Sequence, residues 1–267
     1  MKTFTDQTGK VITIPESPQR IVSLVPSQTE LLADLGLDET VLGITKFCVH
    51  PDGWFRTKTR IGGTKKLNLD VIRSLHPDLI IANKEENEKS QVEILAQEFP
   101  VWTSDISTLS GAREMINAIG ELTNRRQQAK ELIRKIDIEF EDLTSFHHYS
   151  LPVRAAYLIW NKPFMTAGGD TFISSMMDCA GFKNVFEDLK RYPEVTAAMI
   201  LERHPEVIIL SSEPYPFKEK HLEEFSRTFE GSSVVLADGE MFSWYGSRLQ
   251  HAPAYFRKLF EQIQSYS

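Results

Sequence analysis

One hexapeptide is written twice in this chain. His76-Pro77-Asp78-Leu79-Ile80-Ile81 returns 128 positions later as His204-Pro205-Glu206-Val207-Ile208-Ile209. Each copy follows an amphipathic run, LDVIRSL in the first case and AAMILER in the second, and each leads into a buried-strand pattern. One helix-to-strand unit is therefore used twice. Two weaker echoes keep the same order at slightly different offsets: LADLGLDETV against MDCAGFKNV, which sets Gly36 opposite Gly181, and FPVWTSD against SVVLADG. Three matches in one order point to an internal duplication with small insertions, and so to a fold of two similar halves.

Within each half the pattern reads strand, helix, strand, helix, strand. RIVSLV (20–25), VLGIT and DLIIAN are short and nearly all apolar, as parallel strands covered on both faces must be. AAYLIW (155–160), EVIILS (206–211) and SVVLAD (233–238) play the same part in the second half. Ser27 and Glu30 in SQTELLADLG have capping-box spacing and predict a helix start, with Gly36 as its left-handed cap. Both halves are α/β.

Residues 124–148, NRRQQAKELIRKIDIEFEDLTSFHH, contain no glycine or proline, and Ala129, Leu132, Ile133, Ile136, Phe140 and Leu143 recur at helical spacing against a charged opposite face. The segment predicts one helix of about 20 residues, on the order of 30 Å long. The expected organisation is an N-terminal α/β lobe over 1–123, a linking backbone helix over 124–148 and a C-terminal α/β lobe over 149–267.

A net charge of -7, with no basic run longer than a pair, argues against nucleic acid or an anionic membrane surface as partner. No apolar stretch reaches the roughly 18 to 20 residues that span a bilayer. MKTFTDQTGK lacks the apolar core of a secretory signal, so either a leader precedes this sequence or Met1 is the native start and the chain works in the cytoplasm. Cys48 and Cys179 fit neither a disulfide framework nor a CxxC metal pattern and read as ordinary thiols.

FTDQTGKVITIPESPQRIVSLVPSQTELLADLGLDETVLGIT resembles the start of the class III solute-binding proteins, the helical-backbone receptors for cobalamin, iron-siderophore and haem that serve ABC importers. The resemblance continues through LNLDVIRSLHPDLIIA, the long helix, GGDTFISSMMDCAGFKNVF, YPEVTAAMILERHPEVIILSS and WYGSR, with the overall pattern nearest the cobalamin-binding branch. It implies two α/β lobes joined by one long helix, a ligand held in the cleft between them by loops at the carboxyl ends of the strands, no catalysis, and an ABC permease with its ATPase as partner. No intrinsic cofactor is implied; the ligand is expected to contain cobalt or iron. The implied place of work is the periplasm or the outer face of the cytoplasmic membrane.

Ligands of open α/β sheets lie beyond the carboxyl ends of the strands. The candidates there are Phe47, His50 and Trp54 after VLGIT, Trp160 and Phe164 after AAYLIW, Tyr215 with Glu213 and Phe217 after EVIILS, and Trp244, Tyr245 and Arg248 after SVVLAD. Aromatic faces suit a planar ring system, and the Arg248 fork suits a carboxylate, phosphate or amide edge. The competing assignments are that Phe242 and Trp244 cap the core of the second lobe and that Arg248 makes a structural ion pair. His76 and His204 fall at repeated helix ends and read as caps; His147 and His148 end the long helix, where cations suit its dipole; His50 and His251 lie near the strand-end loops.

Catalysis has little to draw on. The chain has no P-loop, GxSxG, HExxH, GxGxxG after the first strand or CxxC, and its best acid-base candidates, Asp105, Asp170 and Glu213, are paired with no nucleophile. For the permease, the resemblance implies one acidic docking residue per lobe. The first falls on Asp70, whereas its counterpart falls on Ala198, with Glu194 and Glu202 as the nearest acids. The alternative function is a cytoplasmic carrier or sensor of the same ligand class on the same fold, and after that an enzyme using the cleft.

Overall fold

The computed structural model describes residues 1–147 and 151–264; His148 lies outside the described residues. The chain divides into two compact units. The first comprises Met1–Ile106, Ser110–Arg134 and Tyr245–Arg248, and the second Ser107–Leu109, Lys135–Trp244 and Leu249–Ser267.

The first unit opens with an antiparallel hairpin, β1 (Lys2–Thr5) and β2 (Val11–Ile14). Then follow β3 (Ile21–Ser23), α1 (Pro26–Asp34), β4 (Val41–Ile44), α2 (Asp52–Thr57), β5 (Thr59–Arg60), α3 (Leu69–Ser74), β6 (Leu79–Asn83), α4 (Lys89–Glu98), β7 (Val101–Ser104) and α5 (Leu109–Leu122). The strands form one parallel sheet in the order β5-β4-β3-β6-β7. Every residue of β3, β6 and β7 is buried, as the continuous apolar runs predict.

A left-handed Asn124 (φ 56) separates α5 from α6 (Arg126–His147), so the long helix begins two residues after the expected start. Its buried stripe is Ala129, Leu132, Ile136, Phe140 and Leu143, at the three- and four-residue spacing read from the sequence. The unit boundary falls inside this helix, between Arg134 and Lys135.

The second unit continues with β8 (Val153–Trp160), β9 (Phe164–Thr166), α7 (Phe172–Cys179), β10 (Phe182–Asn184), β11 (Glu194–Val195), α8 (Ala197–Glu202), β12 (Val207–Ser211), α9 (Lys220–Thr228), β13 (Ser233–Ala237), α10 (Gly239–Ser243) and α11 (Ala252–Gln264). The sheet order is β11-β9-β8-β12-β13, with β10 pairing the first part of β8. β8, β10, β12 and β13 are parallel, whereas the inserted β9 runs antiparallel to both of its neighbours, β8 and β11. Phe186, Phe217, Phe225 and Phe229 pack with Ile208 and Leu210 in its core.

The duplication is visible in side-chain detail. Asn68 caps α3 by accepting from the Val71 amide, and Thr196 caps α8 by accepting from the Met199 amide. Both helices end on a left-handed histidine, His76 at φ 44 and His204 at φ 46, which places both in the structural role expected of them. Arg20, at the start of β3, donates from Nε to the carbonyls of Leu75 and His76 at the end of α3; Arg154, in β8, does the same to His204 and, through its terminal nitrogen, to Arg203. Asp78 accepts the Arg20 amide (2.9 Å) and Glu206 accepts the Arg154 amide (2.8 Å). Gly36 and Gly181 end α1 and α7 at φ 75 and 81.

Two expectations fail. The capping box at Ser27 and Glu30 does not form: Val25 is the N-cap residue with no side-chain cap, Pro26 starts α1, and Glu30 is engaged elsewhere. Nor is His147 a cation serving the helix dipole. Its ring lies edge-on to Phe260 (4.5 Å) and Phe146 (4.9 Å), and both of its nitrogens are buried without a hydrogen-bond partner among the described residues. Burial, followed by the charge of Arg257, pushes its pKa below the usual 6.5.

The sign of the resulting pH dependence follows. Above about pH 6.5 the imidazole is neutral in both folded and unfolded chains. As pH falls through that value the unfolded chain takes up the proton and the folded chain resists it, so stability declines. Urea unfolding at pH 7.5 and 5.5 is expected to show a smaller acid loss in His147→Phe than in the wild type.

Candidate functional site

The carboxyl ends of the parallel strands gather most of the predicted residues, and each unit is built differently there. In the second unit β8 ends at Trp160, whose side chain is 40% exposed and meets the Tyr215 ring edge-on at 5.6 Å. Tyr215 is held from behind by Phe217 (4.7 Å), which is buried in the core, and its amide donates to the Ile159 carbonyl. The pair therefore offers an open indole on a braced ring. Phe164 is not part of that surface: its ring packs onto Phe225 (5.4 Å) and Phe229 (6.0 Å), because β9 turns back antiparallel along β8 and lays the side chain on the core.

The segment GEMFSWYGSR divides by role. Phe242 is fully buried between Tyr157 (5.0 Å) and Phe256 (4.6 Å), which is the core assignment. Trp244 is 7% exposed and donates from Nε1 to Glu213 (3.1 Å), which also accepts from the Ser243 hydroxyl. Tyr245 is 5% exposed. Burial pushes the phenol of neighbouring Tyr157 well above its ordinary range, so it stays a neutral donor to the Ser211 hydroxyl.

Arg248 makes the structural ion pair that competed with the ligand-edge assignment. Its guanidinium donates Nε to Glu30 Oε2 (2.9 Å) and a terminal nitrogen to Glu30 Oε1 (2.6 Å), with both side chains mostly buried. The fork that was assigned to a ligand edge is spent on α1 of the first unit. Gly246 makes this approach possible, since a Cβ there would stand 2.3 Å from the Ser27 carbonyl oxygen. The Glu30 that the sequence offered as a capping residue is the partner of this bridge.

In the first unit the loop after β4 exposes Phe47 (50%) and Val49 (42%), with His50 partly exposed beside them. Cys48 turns inward, its sulfur 3.1 Å from the hydroxyls of both Thr29 and Thr45. Burial pushes its thiol pKa up. Trp54 also leaves the candidate set. α2 carries the chain back toward the start of β5, and the indole, 4% exposed, donates to Asp38 (2.7 Å) just before β4 begins, at the opposite end of the strand. His251 is exposed at the start of α11.

Sequence reasoning missed an amide network beneath the first unit's strand ends. Asn83, the last residue of β6, donates to the Ser104 hydroxyl at the end of β7, and Gln28 donates to the same hydroxyl. Asn87 accepts the Asn83 amide and donates to the Leu24 carbonyl (3.1 Å). All four side chains are buried. The signal was present in DLIIAN and VWTS, where an apolar strand ends on a residue able to hydrogen-bond.

The acid-base candidates are committed to structure. Asp105 pairs with Lys84 (2.5 Å), Asp170 accepts the Arg191 amide, and Glu213 holds Trp244 and Ser243.

The model of the periplasmic binding protein family matches residues 21–232, spanning β3 of the first unit to the turn before β13 of the second. The chain belongs to that family. Among its relatives is the vitamin B12-binding protein of Vibrio cholerae serotype O1, 26% identical over 211 residues, which are 78% of this chain and 76% of the relative. The crystal structure of the periplasmic vitamin B12-binding protein of Vibrio cholerae has the same fold, with a TM-score of 0.81 at 21% identity over 94% of this chain and 99% of that one. So does the apo form of a periplasmic haem-binding protein from Roseiflexus sp. RS-1, with a TM-score of 0.79 at 20% identity over 92% and 98%. A fold shared by proteins with different named ligands leaves the choice of ligand to the loops.

Glu30 and Arg248 are both largely buried, so removing one deprives the other of a charge partner in a setting poor in water. Arg248→Ala and Glu30→Ala are each expected to destabilise the folded chain by about 3 kcal/mol, and the double variant to cost much less than the sum. Denaturant unfolding of the four chains measures this coupling.

Proposed function

We propose that this chain is the solute-binding receptor of an ABC importer and that it captures a corrinoid such as cobalamin with the loops at the carboxyl ends of its strands. The observation that carries the reading is the open Trp160 indole braced by Tyr215, in a family member that aligns over most of its length with a vitamin B12-binding protein. A half-exposed aromatic pair at the strand ends buries apolar ligand surface with little loss of side-chain freedom. Phe47 and His50 stand at the strand ends of the first unit, where Tyr245 is also counted and is buried; Trp244 is buried in the second unit, donating to Glu213. The cobalt or iron arrives inside the ligand, bound and released without turnover.

The partner in this reading is the permease with its ATPase, and the place of work is the periplasm or the outer face of the cytoplasmic membrane. No helix of the described residues is long and apolar enough to cross a membrane. Asp70 supports a docking role: its side chain is 92% exposed on α3, and its partner Arg73, at 3.0 Å, is shared with Glu98, which takes Arg73 through Nε and a terminal nitrogen. At the equivalent place α8 presents Ala198, so the second unit meets the permease without an acid at that position.

Titration calorimetry with cyanocobalamin tests the ligand. Trp160→Ala and Tyr215→Ala are each expected to weaken binding by roughly 5-fold to 150-fold. The melting temperature of free Trp160→Ala should barely move, since its indole is 40% exposed. Unchanged affinity in both variants overturns the assignment, and tighter binding of haem or a ferric siderophore than of cobalamin moves the receptor to that branch.

Uptake into vesicles holding the cognate permease tests docking. Asp70→Lys is expected to lower uptake with ligand affinity unchanged. Equal uptake by the variant would leave Asp70 an ordinary exposed helix residue.

A further inference from the structure

The loop after β4 is built on a second loop. The Lys46 amide donates to the Gly62 carbonyl (2.8 Å), and Gly63 and Lys66 exchange amide-to-carbonyl bonds that close the turn beneath it. Asn87 ties the same turn down by donating to the Thr64 carbonyl. On this base lies the Phe47 ring. Gly63 is buried, and a Cβ there would stand 3.0 Å from Phe47 Cε2 and 3.4 Å from Lys46 Cε, so a side chain at this position would push the ring from its seat by a few tenths of an ångström. The outer part of the ring is open, with Phe47 half exposed and Val49 exposed beside it. The exposed Lys46 holds its ammonium 5.0 Å from the ring centroid, and the turn beneath carries two more exposed lysines, Lys65 and Lys66.

The half-exposed Phe47 and the exposed Val49 make a small apolar face, and the Lys46 ammonium over the ring adds an anion-seeking charge to it. We propose that Phe47 and Lys46 form a preformed platform for a ligand that combines a flat apolar face with an anionic oxygen at its edge, and that Gly63 is a positioning residue that seats the ring. The platform rests on the receptor reading above and adds a charge requirement to it. Among corrinoids, the phosphodiester of cobalamin supplies such an oxygen, whereas cobinamide lacks it; in other macrocycles a carboxylate supplies it. The ring contact serves any of these ligands, and the lysine serves those with the anion.

Calorimetric titration of cyanocobalamin and dicyanocobinamide into wild type, Phe47→Ala, Gly63→Val, the Phe47→Ala/Gly63→Val double variant and Lys46→Gln separates the parts. Phe47→Ala is expected to weaken both ligands at least 5-fold. Gly63→Val should weaken both to a similar degree, and the double variant should be no weaker than Phe47→Ala alone, because the glycine acts through the ring. Lys46→Gln should weaken cobalamin several-fold and leave cobinamide unchanged, with the difference shrinking at high salt. If Gly63→Val misfolds, Gly63→Ala together with Phe47→Ala carries the same comparison. Wild-type affinity in Phe47→Ala, or additive losses in the double variant, overturns the platform while the receptor reading stands; equal effects of Lys46→Gln on both ligands overturn the charge requirement. Absence of saturable binding by the wild type to cobalamin, haem and ferric siderophores overturns the receptor reading and the platform with it.

Discussion

The fold depends on how buried parallel strands are joined to the helices that cover them. The chain entering one buried strand runs beside the last carbonyls of the helix that leads into the neighbouring strand, and those carbonyls need donors once the helix ends. This chain meets the constraint with an arginine and an acid, used twice. Arg20 and Arg154 close the helix ends with their guanidinium groups, while Asp78 and Glu206 take the amides of the same arginines. The left-handed His76 and His204 turn the chain out of the helix in time for the next strand. The two joints lie where β3 meets β6 and where β8 meets β12.

The helix-to-strand part of that arrangement was legible because it is local and repeated, whereas its arginines reach it from 55 and 50 residues away. The hexapeptide beginning at His76 and its copy at His204 lie on the joint itself, so the sequence match and the structural device coincide. Apolar runs identified the strands, and the spacing of Ala129, Leu132, Ile136, Phe140 and Leu143 identified the long helix. What local pattern misassigned was set by partners far away in the chain. Glu30 has capping-box spacing, but its carboxylate answers Arg248, 218 positions on. The His147 ring is enclosed by Phe260 and Phe146, which no helix-end rule anticipates.

The candidate site shows the same division. A position after a strand says which loop a residue occupies, not which way its side chain turns. Trp160, Tyr215 and Phe47 remain at the open edge, whereas Trp54 follows its helix back to Asp38, Phe164 turns to the core, and Arg248 is consumed by an ion pair. The buried amides Asn83, Asn87 and Gln28 were missed for a different reason. Each reads alone as a polar residue near a strand end, and only their convergence on Ser104 and Leu24 makes them the floor of the first unit's edge.

Residues Tyr245–Arg248 belong to the first unit although the chain on either side of them belongs to the second. The units are consequently not separable as genetic modules. A fragment ending within the long helix would carry Glu30 with no guanidinium to answer it and would lack the glycine contact that covers the start of α1. A polypeptide emerging from the ribosome faces the same condition, because the first unit stays incomplete until almost all of the second has been made. Its final closure waits on residue 248.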